Sequence, residues 1–364
     1  MIVFGIVGSG WRSEFFLRIA RAMPDRFAVS GLVTRSAEKG AEIEKTWGIR
    51  TFRTIDDLLN AGSSGAAHAG TATGFLVISV PGSVACDVIL EAAGKGIPVL
   101  SETPPAYDMD KLLMLNERAR GAKVQVAEQY HLHPAHSARI KIARSGLLGE
   151  VTEAQVSFSH GYHAMSLMRK LLGIGYENAV INAYRYPSPV IAGPDRKGPP
   201  ESERLTAPMH EFALLDFNGK LGVYDFIRDQ HRSWIRTQRI IARGTRGEIY
   251  DSAIKYLKDF RTPLEFGLIR KNAGEEGNME GYYLKGIMAG DEWIFVNPYA
   301  PASLSDDEIA VATCLVKMDE YVRGGPEFYS LAEASQDAYL AMMADKAMDM
   351  GARFVTQTQP WARQ

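Results

Sequence analysis

The chain has very little cysteine: among 364 residues only Cys86 and Cys314 occur, far apart and in no metal-binding spacing. This excludes a disulfide framework and favours a reducing compartment, so we expect a cytoplasmic protein. No run approaches the roughly 18 to 20 apolar residues that span a bilayer. The first run, MIVFGIVGSGW, lacks a basic segment and is interrupted by glycines, which indicates a strand and not a signal peptide.

An excess of charge of either sign is also missing. The 41 Lys and Arg residues nearly balance the 43 Asp and Glu residues, so the formal net charge is −2. No basic patch indicates binding to nucleic acid or to an anionic membrane, and we expect neither partner. The length and the 46% of hydrophobic residues predict a globular protein of about two domains.

Up to about residue 128, short apolar runs rich in β-forming residues alternate with helical patterns, which is typical of βαβ units over a parallel sheet. The predicted strands span residues 2–7, 27–33, 75–80, 97–100 and 123–127. Ser13 could cap the first helix, and Thr54 with Asp57 forms a loose capping box ahead of a later one. Residues 61–74, AGSSGAAHAGTATG, are too poor in bulky apolar residues to pack and predict a surface loop without a function.

After about residue 128 the pattern changes to long alternating runs, which predict antiparallel strands. An amphipathic helix is expected near residues 134–145, and two more over about 305–323 and 331–350. Asn218-Gly219 between two apolar runs predicts a hairpin. We therefore predict an α/β domain with a parallel sheet over residues 1–128, followed by an α+β domain with an open, mostly antiparallel sheet over residues 129–364.

The stretch GIVGSGWRSEFF follows the first strand and opens the first helix. Gly8 permits a tight turn, Gly10 lets the backbone approach a pyrophosphate, and the helix start supplies unpaired N–H groups. The pattern predicts a dinucleotide-binding Rossmann domain that holds the pyrophosphate at Gly8, Ser9, Gly10 and Trp11. Arg12 could contact a phosphate, or it could be an exposed arginine at the helix start with no ligand.

The second strand ends at Thr34, Arg35 and Ser36, without the acid that usually binds the ribose 2′-hydroxyl of NAD. Arg35 could instead pair with a 2′-phosphate, so the cofactor is expected to be NADP or NAD, with a slight preference for NADP. Two other strand ends should meet the glycine turn at the same edge of the sheet, where open α/β sheets bind ligands. They are the ends of VISVPGS, with Val80 and Pro81, and of VLSETPP, with Glu102 and Thr103.

Taken together, these motifs resemble those of the Gfo/Idh/MocA oxidoreductases. The resemblance extends through nearly the whole chain and rests on GIVGSGW, SVPGS, EAAGKGIPVLSETP, SGLLGEV, HAMSLMRKLLG, the NGK hairpin, ARGTRGEI and SLAEASQDAYLAMM. It implies an NAD(P)-dependent enzyme that oxidises or reduces a sugar, a cyclitol or a related polyol. It also implies a homodimer or homotetramer assembled through the C-terminal sheet.

The chain departs from the family pattern at two motifs. The usual Glu-Lys-Pro is Glu102-Thr103-Pro104, so the lysine credited with substrate binding and proton transfer is missing. Thr103 cannot replace it as a base, because an ordinary hydroxyl stays protonated near neutral pH. In the Asp-x-x-x-His motif, Ser159 stands where the aspartate is expected, whereas His163 matches the histidine.

Oxidation of an alcohol by hydride transfer requires that the hydroxyl proton leave, and an imidazole is suited to accept it. We therefore expect His163 to be the catalytic proton acceptor, although it could instead only form a hydrogen bond with substrate or backbone. His160 and Tyr162 beside it could share this role. Lys141 could reach the cleft in place of the missing lysine, or it could be a solvated helix lysine.

The segment EQYHLHPAHSARIK contains His131, His133 and His136. Residues two apart on an extended segment point to opposite faces, so no metal site is expected. The resemblance instead places Gln129 and Tyr130 beside the nicotinamide, with His131 or His133 facing the substrate. Further substrate contacts are possible at Tyr184, Arg185 and His210.

Two other functions remain open. The first is a redox-neutral lyase or glycosidase, in which transient oxidation acidifies a neighbouring C–H and the cofactor returns unchanged. The second is a nucleotide-binding homologue that has lost catalysis, which the missing lysine and aspartate would explain.

Overall fold

A computed structural model describes residues 1–63, 73–195, 197–276 and 279–363. These residues divide into two compact units. The first comprises Met1–Pro134, Asn272–Lys285 and Asn297–Ser335, and the second Ala135–Lys271, Gly286–Val296 and Gln336–Gln364. The predicted boundary at residue 128 lies near Pro134, but the two later segments that complete the first unit were not predicted.

The first unit contains a parallel sheet with strand order β3-β2-β1-β4-β5-β6, the order of a dinucleotide-binding fold. The strands are β1 (Ile2–Val7), β2 (Phe27–Val33), β3 (Thr51–Phe52), β4 (Phe75–Ile78), β5 (Val99–Ser101) and β6 (Val124–Val126). The helices that follow the first five strands are α1 (Ser13–Ala22), α2 (Ala37–Trp47), α3 (Ile55–Ser63), α4 (Gly82–Gly94) and α5 (Met109–Arg118). The predicted fold class is confirmed for this unit.

The sheet of the first unit is mostly apolar, as expected where helices cover both faces of a parallel sheet, although β2, β5 and β6 each contain one buried polar residue. The side chains of Phe4, Ile6 and Leu32 are fully buried, and the rings of Phe4 and Phe75 stack with centroids 5.8 Å apart. All five predicted strands are present. The two-residue strand β3 was not predicted, since it is too short to carry an alternation pattern.

Side-chain caps fix the starts of several helices. Ser36 accepts a hydrogen bond from the amide of Lys39 at the start of α2. The predicted box at α3 is confirmed, because Thr54 and Asp57 each accept a hydrogen bond from the other's amide at 3.1 Å. The predicted cap at Ser13 is wrong. Ser13 is already the first residue of α1, and its hydroxyl donates to the carbonyl of Gly8 at 3.0 Å.

The large sheet has the strand order β18-β17-β16-β15-β14-β13-β7-β12-β11-β8-β19. Its strands are β7 (Val151–Ser157), β8 (Val180–Pro187), β11 (Met209–Asp216), β12 (Leu221–Ile227), β13 (Arg239–Gly244), β14 (Gly247–Tyr250), β15 (Ala253–Asp259), β16 (Thr262–Asn272), β17 (Leu284–Ala289), β18 (Glu292–Val296) and β19 (Phe354–Val355). A separate pair is formed by β9 (Val190–Ile191) and β10 (Leu205–Thr206). The strands β7 and β12 pair in parallel, whereas β8, β11 and β12 are antiparallel neighbours, as are β13 to β16. The prediction of a mostly antiparallel sheet is confirmed.

The predicted hairpin joins β11 to β12. Its central residues Asn218 and Gly219 have φ values of 58° and 101°, as a two-residue turn between twisted strands requires. The remaining helices are α6 (Pro134–Arg144), α7 (Gly161–Leu172), α8 (Asp306–Val322) and α9 (Leu331–Met350). Within the described ranges, no helix is long and apolar enough to cross a membrane.

Helix α7 packs closely on the large sheet. A Cβ atom at Gly222 of β12 would lie 2.0 Å from Sδ of Met168, so a larger residue there would require the Met168 side chain to move. Arg169 of α7 forms a buried ion pair with Asp337 of α9 at 2.6 Å, and the two side chains are 2% and 0% exposed. This pair fixes α7 against α9 within the second unit.

Candidate functional site

The turn between β1 and α1 brings two strand ends into close contact. Gly8 has a φ of 119°, and a Cβ atom there would lie 2.0 Å from the carbonyl oxygen of Ser79, just after β4. Its amide donates to the carbonyl of Val33 at the end of β2. Only glycine fits at this position, since any other residue would clash with the backbone and be strained.

Gly10 differs from Gly8, because no atom of the described residues lies within 4 Å of the position that its Cβ would take. The turn is therefore open on this side. The side chain of Arg12, in the N-cap position, makes no capping hydrogen bond to α1, and Trp11 is 53% exposed. An open glycine backbone at a helix N-terminus fits a diphosphate, and the site residues predicted at Gly8, Ser9, Gly10 and Trp11 lie together here.

An ionic network lies at the carboxyl edge of the parallel sheet. Arg12 donates from Nε to Oε1 of Glu102, which follows β5, at 2.9 Å, and from Nη1 to Oδ2 of Asp307 in α8 at 3.1 Å. With its amide oriented to satisfy two hydrogen bonds, Gln129 accepts from Nη2 of Arg12 at 3.1 Å. The Arg12 side chain is only 13% exposed. The alternative of an exposed arginine at the helix start is therefore wrong.

The carboxylates of this network keep Arg12 charged. Burial alone would lower the pKa of the guanidinium, but Glu102 and Asp307 outweigh this effect and raise it above its usual value of 12.5. Arg12 thus places a permanent positive charge beside Glu102, the residue that precedes Thr103. It cannot act as a base.

Asp307 links Arg12 to His133. One carboxylate oxygen contacts Arg12, and the other lies 3.2 Å from Nε2 of His133, whose ring stacks on Tyr130 with centroids 5.2 Å apart. Burial opposes ionisation of Asp307, but the hydrogen bond with His133 and the charge of Arg12 lower its pKa to about 2. The ionised carboxylate is therefore positioned to accept Nε2–H and to orient the imidazole.

Sequence reasoning missed Asp307. An available signal was the capping box of Ser305 and Glu308 at the start of α8, which predicts a helix whose first turn contains acids. That pattern could not show that one of these acids faces Arg12.

The sequence predicts that the three histidines after β6 lie on an extended segment. This is wrong, because the segment forms a 3-10 turn at Tyr130–Leu132 and then helix α6. His131 and His133 belong to the first unit. His131 stacks on Tyr329, whereas His133 contacts Asp307. His136 belongs to the second unit. In the described part of the chain, no group of three His, Cys, Asp or Glu side chains could hold a metal ion.

Other predicted residues also lie at the carboxyl edge of the first unit. Pro81 takes the N-cap position of α4, and Cγ1 of Val80 would lie 3.2 Å from a Cβ atom at Gly8. Thr103 is half-buried, and its amide donates to Oε2 of Glu102 at 3.4 Å. These positions suit residues that shape a cofactor crevice.

In the second unit, the start of α7 brings together the predicted catalytic residues. The His163 ring lies 5.0 Å from that of His160 and 5.2 Å from that of Tyr162. His231, which was not predicted, lies 6.2 Å from His160. Tyr162 and His163 are buried, at 5% and 8% exposure, whereas His160 and His231 are exposed.

The environment keeps two of these imidazoles neutral. Burial, followed by the charge of His163 and Arg228, lowers the pKa of His160 to about 4. Burial and the charge of His160 lower the pKa of His231 to about 4 as well. At neutral pH both rings can donate one hydrogen bond and accept another.

The backbone at the start of α7 is held by Tyr224 of β12. Its hydroxyl accepts from the amide of Gly161 at 3.1 Å and donates to Oε2 of Glu211 at 2.9 Å. Ser159 is fully buried, and within the described ranges its hydroxyl has no hydrogen-bond partner. It therefore does not take over the orienting role of the family aspartate towards His163.

The remaining candidates of the second unit are spread over β8, β11 and α6. Tyr184 is 64% exposed. Arg185 forms ion pairs with Asp345 and Asp349 at 2.9 and 2.7 Å. His210 lies 2.6 Å from both Asp225 and the hydroxyl of Tyr186. Lys141 donates to the carbonyl of Ile294 at 3.4 Å.

A comparison with protein families identifies the N-terminal part. The family model described as the Gfo/Idh/MocA oxidoreductase family, NAD-binding Rossmann fold, matches residues 2–130. Over these residues the chain is therefore similar to the Gfo/Idh/MocA family. The match confirms the predicted recognition and the prediction of an NAD or NADP cofactor.

Solved structures resemble the chain over almost its whole length. An oxidoreductase from Agrobacterium radiobacter, in complex with NAD+, L-tartaric acid and magnesium, is 16% identical with a TM-score of 0.66, and the match covers 97% of this chain and 98% of that one. A levoglucosan dehydrogenase in complex with NADH and levoglucosan is 14% identical with a TM-score of 0.68, covering 97% and 99%. The WlbA dehydrogenase from Bordetella pertussis, in complex with NADH and UDP-GlcNAcA, is 18% identical with a TM-score of 0.62, covering 98% of each chain. At these identities the likeness shows the fold. No curated protein matches the chain.

Proposed function

We propose that the protein is an NAD- or NADP-dependent dehydrogenase that acts on a CH–OH group of a sugar, a cyclitol or a related polyol. The observation that carries this proposal is the open backbone at Gly10, between β1 and the start of α1 in a segment of an oxidoreductase family. Two solved structures of similar fold contain carbohydrate ligands, levoglucosan and UDP-GlcNAcA, which supports the substrate class.

The nicotinamide, when bound, supplies a hydride acceptor or donor for the carbon that carries the hydroxyl. His163 is proposed to accept the hydroxyl proton, with His160 and Tyr162 sharing the hydrogen bonds around it. A neutral imidazole is needed for this role, because only the unprotonated ring nitrogen can accept a proton. Thr103 can only donate or accept a hydrogen bond.

Tyr130, His131, His133 and Tyr184 are proposed to contact the substrate. When Asp307 accepts Nε2–H of His133, the lone pair of the ring lies on Nδ1. That atom could accept a hydrogen bond from a substrate hydroxyl. A ligand with many hydroxyl groups suits such hydrogen-bond donors and acceptors better than a charged ligand does.

A homodimer or homotetramer that assembles through the C-terminal sheet is part of the proposal, as is a cytoplasmic location. The exposed face of β8 supports the assembly, since Tyr186 is 49% exposed there. The two buried free cysteines support a reducing compartment.

Purified protein incubated with NAD+ or NADP+ and a panel of sugars and cyclitols tests the proposal. Net formation of reduced cofactor supports it. Cleavage of a glycoside with no net change of the cofactor would show the redox-neutral alternative. Nucleotide binding without turnover on any compound would show a homologue that has lost catalysis.

The variant His163→Ala tests the proton acceptor. Turnover should fall by roughly 10²- to 10⁴-fold, the range for a general acid–base group. An unchanged melting temperature and an unchanged nucleotide affinity would show that the fold and the cofactor site are intact. Turnover equal to that of the wild type would remove His163 from the mechanism.

A further inference from the structure

We propose that the loop formed by Thr34, Arg35 and Ser36 selects NADP over NAD, and that Arg35 binds the 2′-phosphate of the adenosine ribose. This inference rests on the proposed function only in requiring that a pyridine nucleotide binds. It concerns the first unit alone.

The position of the loop places it beside the glycine turn. Strands β1 and β2 pair in parallel up to Val7 and Val33, so Thr34 follows β2 just as Gly8 follows β1. The hydroxyls of Ser9 and Thr34 are 3.0 Å apart. In dinucleotide-binding folds the end of the second strand lies next to the adenosine ribose. Side chains at this strand end therefore contact the 2′-hydroxyl of NAD or the 2′-phosphate of NADP.

The side chains of the loop offer no acceptor that favours NAD. An NAD site usually provides a carboxylate for the 2′-hydroxyl, and the loop has none. Thr34 is buried and bonded to Ser9, while the Ser36 oxygen accepts the amide of Lys39 at 3.1 Å. The hydroxyl groups of Thr34 and Ser36 therefore already form hydrogen bonds within the protein.

Arg35 is the cation available to a phosphate. It is exposed, and among the described residues it makes no hydrogen bond or ion pair. The nearby Lys39 differs, because its ammonium contacts Glu42 at 2.9 Å. A guanidinium with free donors can bind a phosphate in a bidentate manner.

A second cation fixes the loop in place. Arg53, just after β3, donates from Nη1 to the carbonyls of Thr34 and Ser36 at 2.9 and 3.0 Å. A Cβ atom at Gly40 would lie 3.0 Å from Nη1 and 3.2 Å from Nη2 of Arg53, so the glycine makes room for this guanidinium. Arg35 and Arg53 thus place two positive charges at the loop, which itself contains no acid, and this arrangement suits a phosphate dianion.

Isothermal titration calorimetry on the full chain tests the selection, with NADP+, NAD+ and 2′,5′-ADP as ligands. The wild type should bind NADP+ more tightly than NAD+ and should bind 2′,5′-ADP. Arg35→Ala should weaken NADP+ binding about 10- to 100-fold, the loss expected for one charge-assisted interaction, and leave NAD+ binding unchanged.

Two variants sharpen the test. Ser36→Asp keeps a good N-cap for α2 while adding a carboxylate, so it should reverse the preference towards NAD+. Lys45→Ala removes a cation from the last turn of the same helix and should change neither affinity.

Tighter binding of NAD+ than of NADP+ by the wild type would overturn the selection and leave the proposed function intact. Equal loss of both ligands in Arg35→Ala would overturn the role of Arg35. Binding of neither nucleotide would overturn the proposed function together with this inference.

Discussion

Arg12 and Asp307 form an ion pair at 3.1 Å, although 295 residues separate them in the chain. The pair joins the start of α1 to the start of α8, and Arg12 extends it to Glu102 at the end of β5. A cation therefore sits at the carboxyl edge of the sheet although position 103 has no lysine. The guanidinium carries a fixed charge and cannot transfer a proton as a lysine could.

The stability of the protein should depend on the ionisation of Asp307. The pKa of this group is about 2, lower than its ordinary value of 3.8, so the charged form stabilises the folded state. This contribution is complete above about pH 4 and is lost as the pH falls through about 2. Because the side chain is 31% exposed, solvent screening reduces the expected contribution to about 1–2 kcal/mol.

Urea unfolding of the wild type and Asp307→Asn measures this contribution. The variant should be less stable at pH 7, and the difference should narrow as the pH is lowered towards about 3. Asp306→Asn removes a carboxylate from the same helical turn and controls for the helix dipole. A difference between wild type and Asp307→Asn that does not change with pH would contradict the assignment.

The buried ion pair between Arg169 and Asp337 should tolerate the loss of both charges better than the loss of one. Asp337→Ala leaves a guanidinium that is 2% exposed without its carboxylate, which should lower the free energy of unfolding by about 3–5 kcal/mol. The double variant Arg169→Met/Asp337→Leu should recover a large part of this loss. Chemical denaturation measures the free energy of unfolding of each variant. A value for Asp337→Ala within about 1 kcal/mol of the wild type would refute the prediction.

His160 and His231 should remain neutral through the neutral pH range. Burial lowers the pKa of each from 6.5 to about 4, so the folded protein resists protonation that the unfolded chain accepts. The contribution of these two groups to the free energy of unfolding is therefore fully present above about pH 6.5, and it declines as the pH falls towards 4. Proton NMR of the ring C–H signals measures this, with His160→Ala and His231→Gln providing the assignments. A titration midpoint near 6.5 for either ring would contradict it.

The fold of the N-terminal part could be predicted because its strands carry a strong local signal. Buried parallel strands are apolar on both faces, and the glycine turn after β1 has a fixed spacing. The strand β3 contains only Thr51 and Phe52 and gives no such signal. The assignment of α8 to the first unit depends on packing against α1, for example the 2.7 Å contact between Arg18 and Glu308, which local sequence cannot reveal.

The candidate site could be predicted in part for the same reason. Gly8, Gly10, Glu102 and His163 of α7 follow from motif spacing. The partners that set their properties come from distant positions. Asp307 orients His133, and His231 joins His160 only when β12 has folded next to α7. Ser13 could not be assigned correctly because a cap and a first-turn residue look alike in sequence.

The most direct test of the whole account is calorimetric titration of NAD+ and NADP+ into the wild type and Gly10→Ala. Gly10 has an ordinary φ and open space around its Cβ position, so the variant should fold with an unchanged melting temperature. We predict that the wild type binds at least one of the nucleotides and that Gly10→Ala loses at least about tenfold in affinity, since a methyl group blocks the approach of the pyrophosphate. Failure of the wild type to bind either nucleotide, or equal binding by Gly10→Ala, would contradict the account.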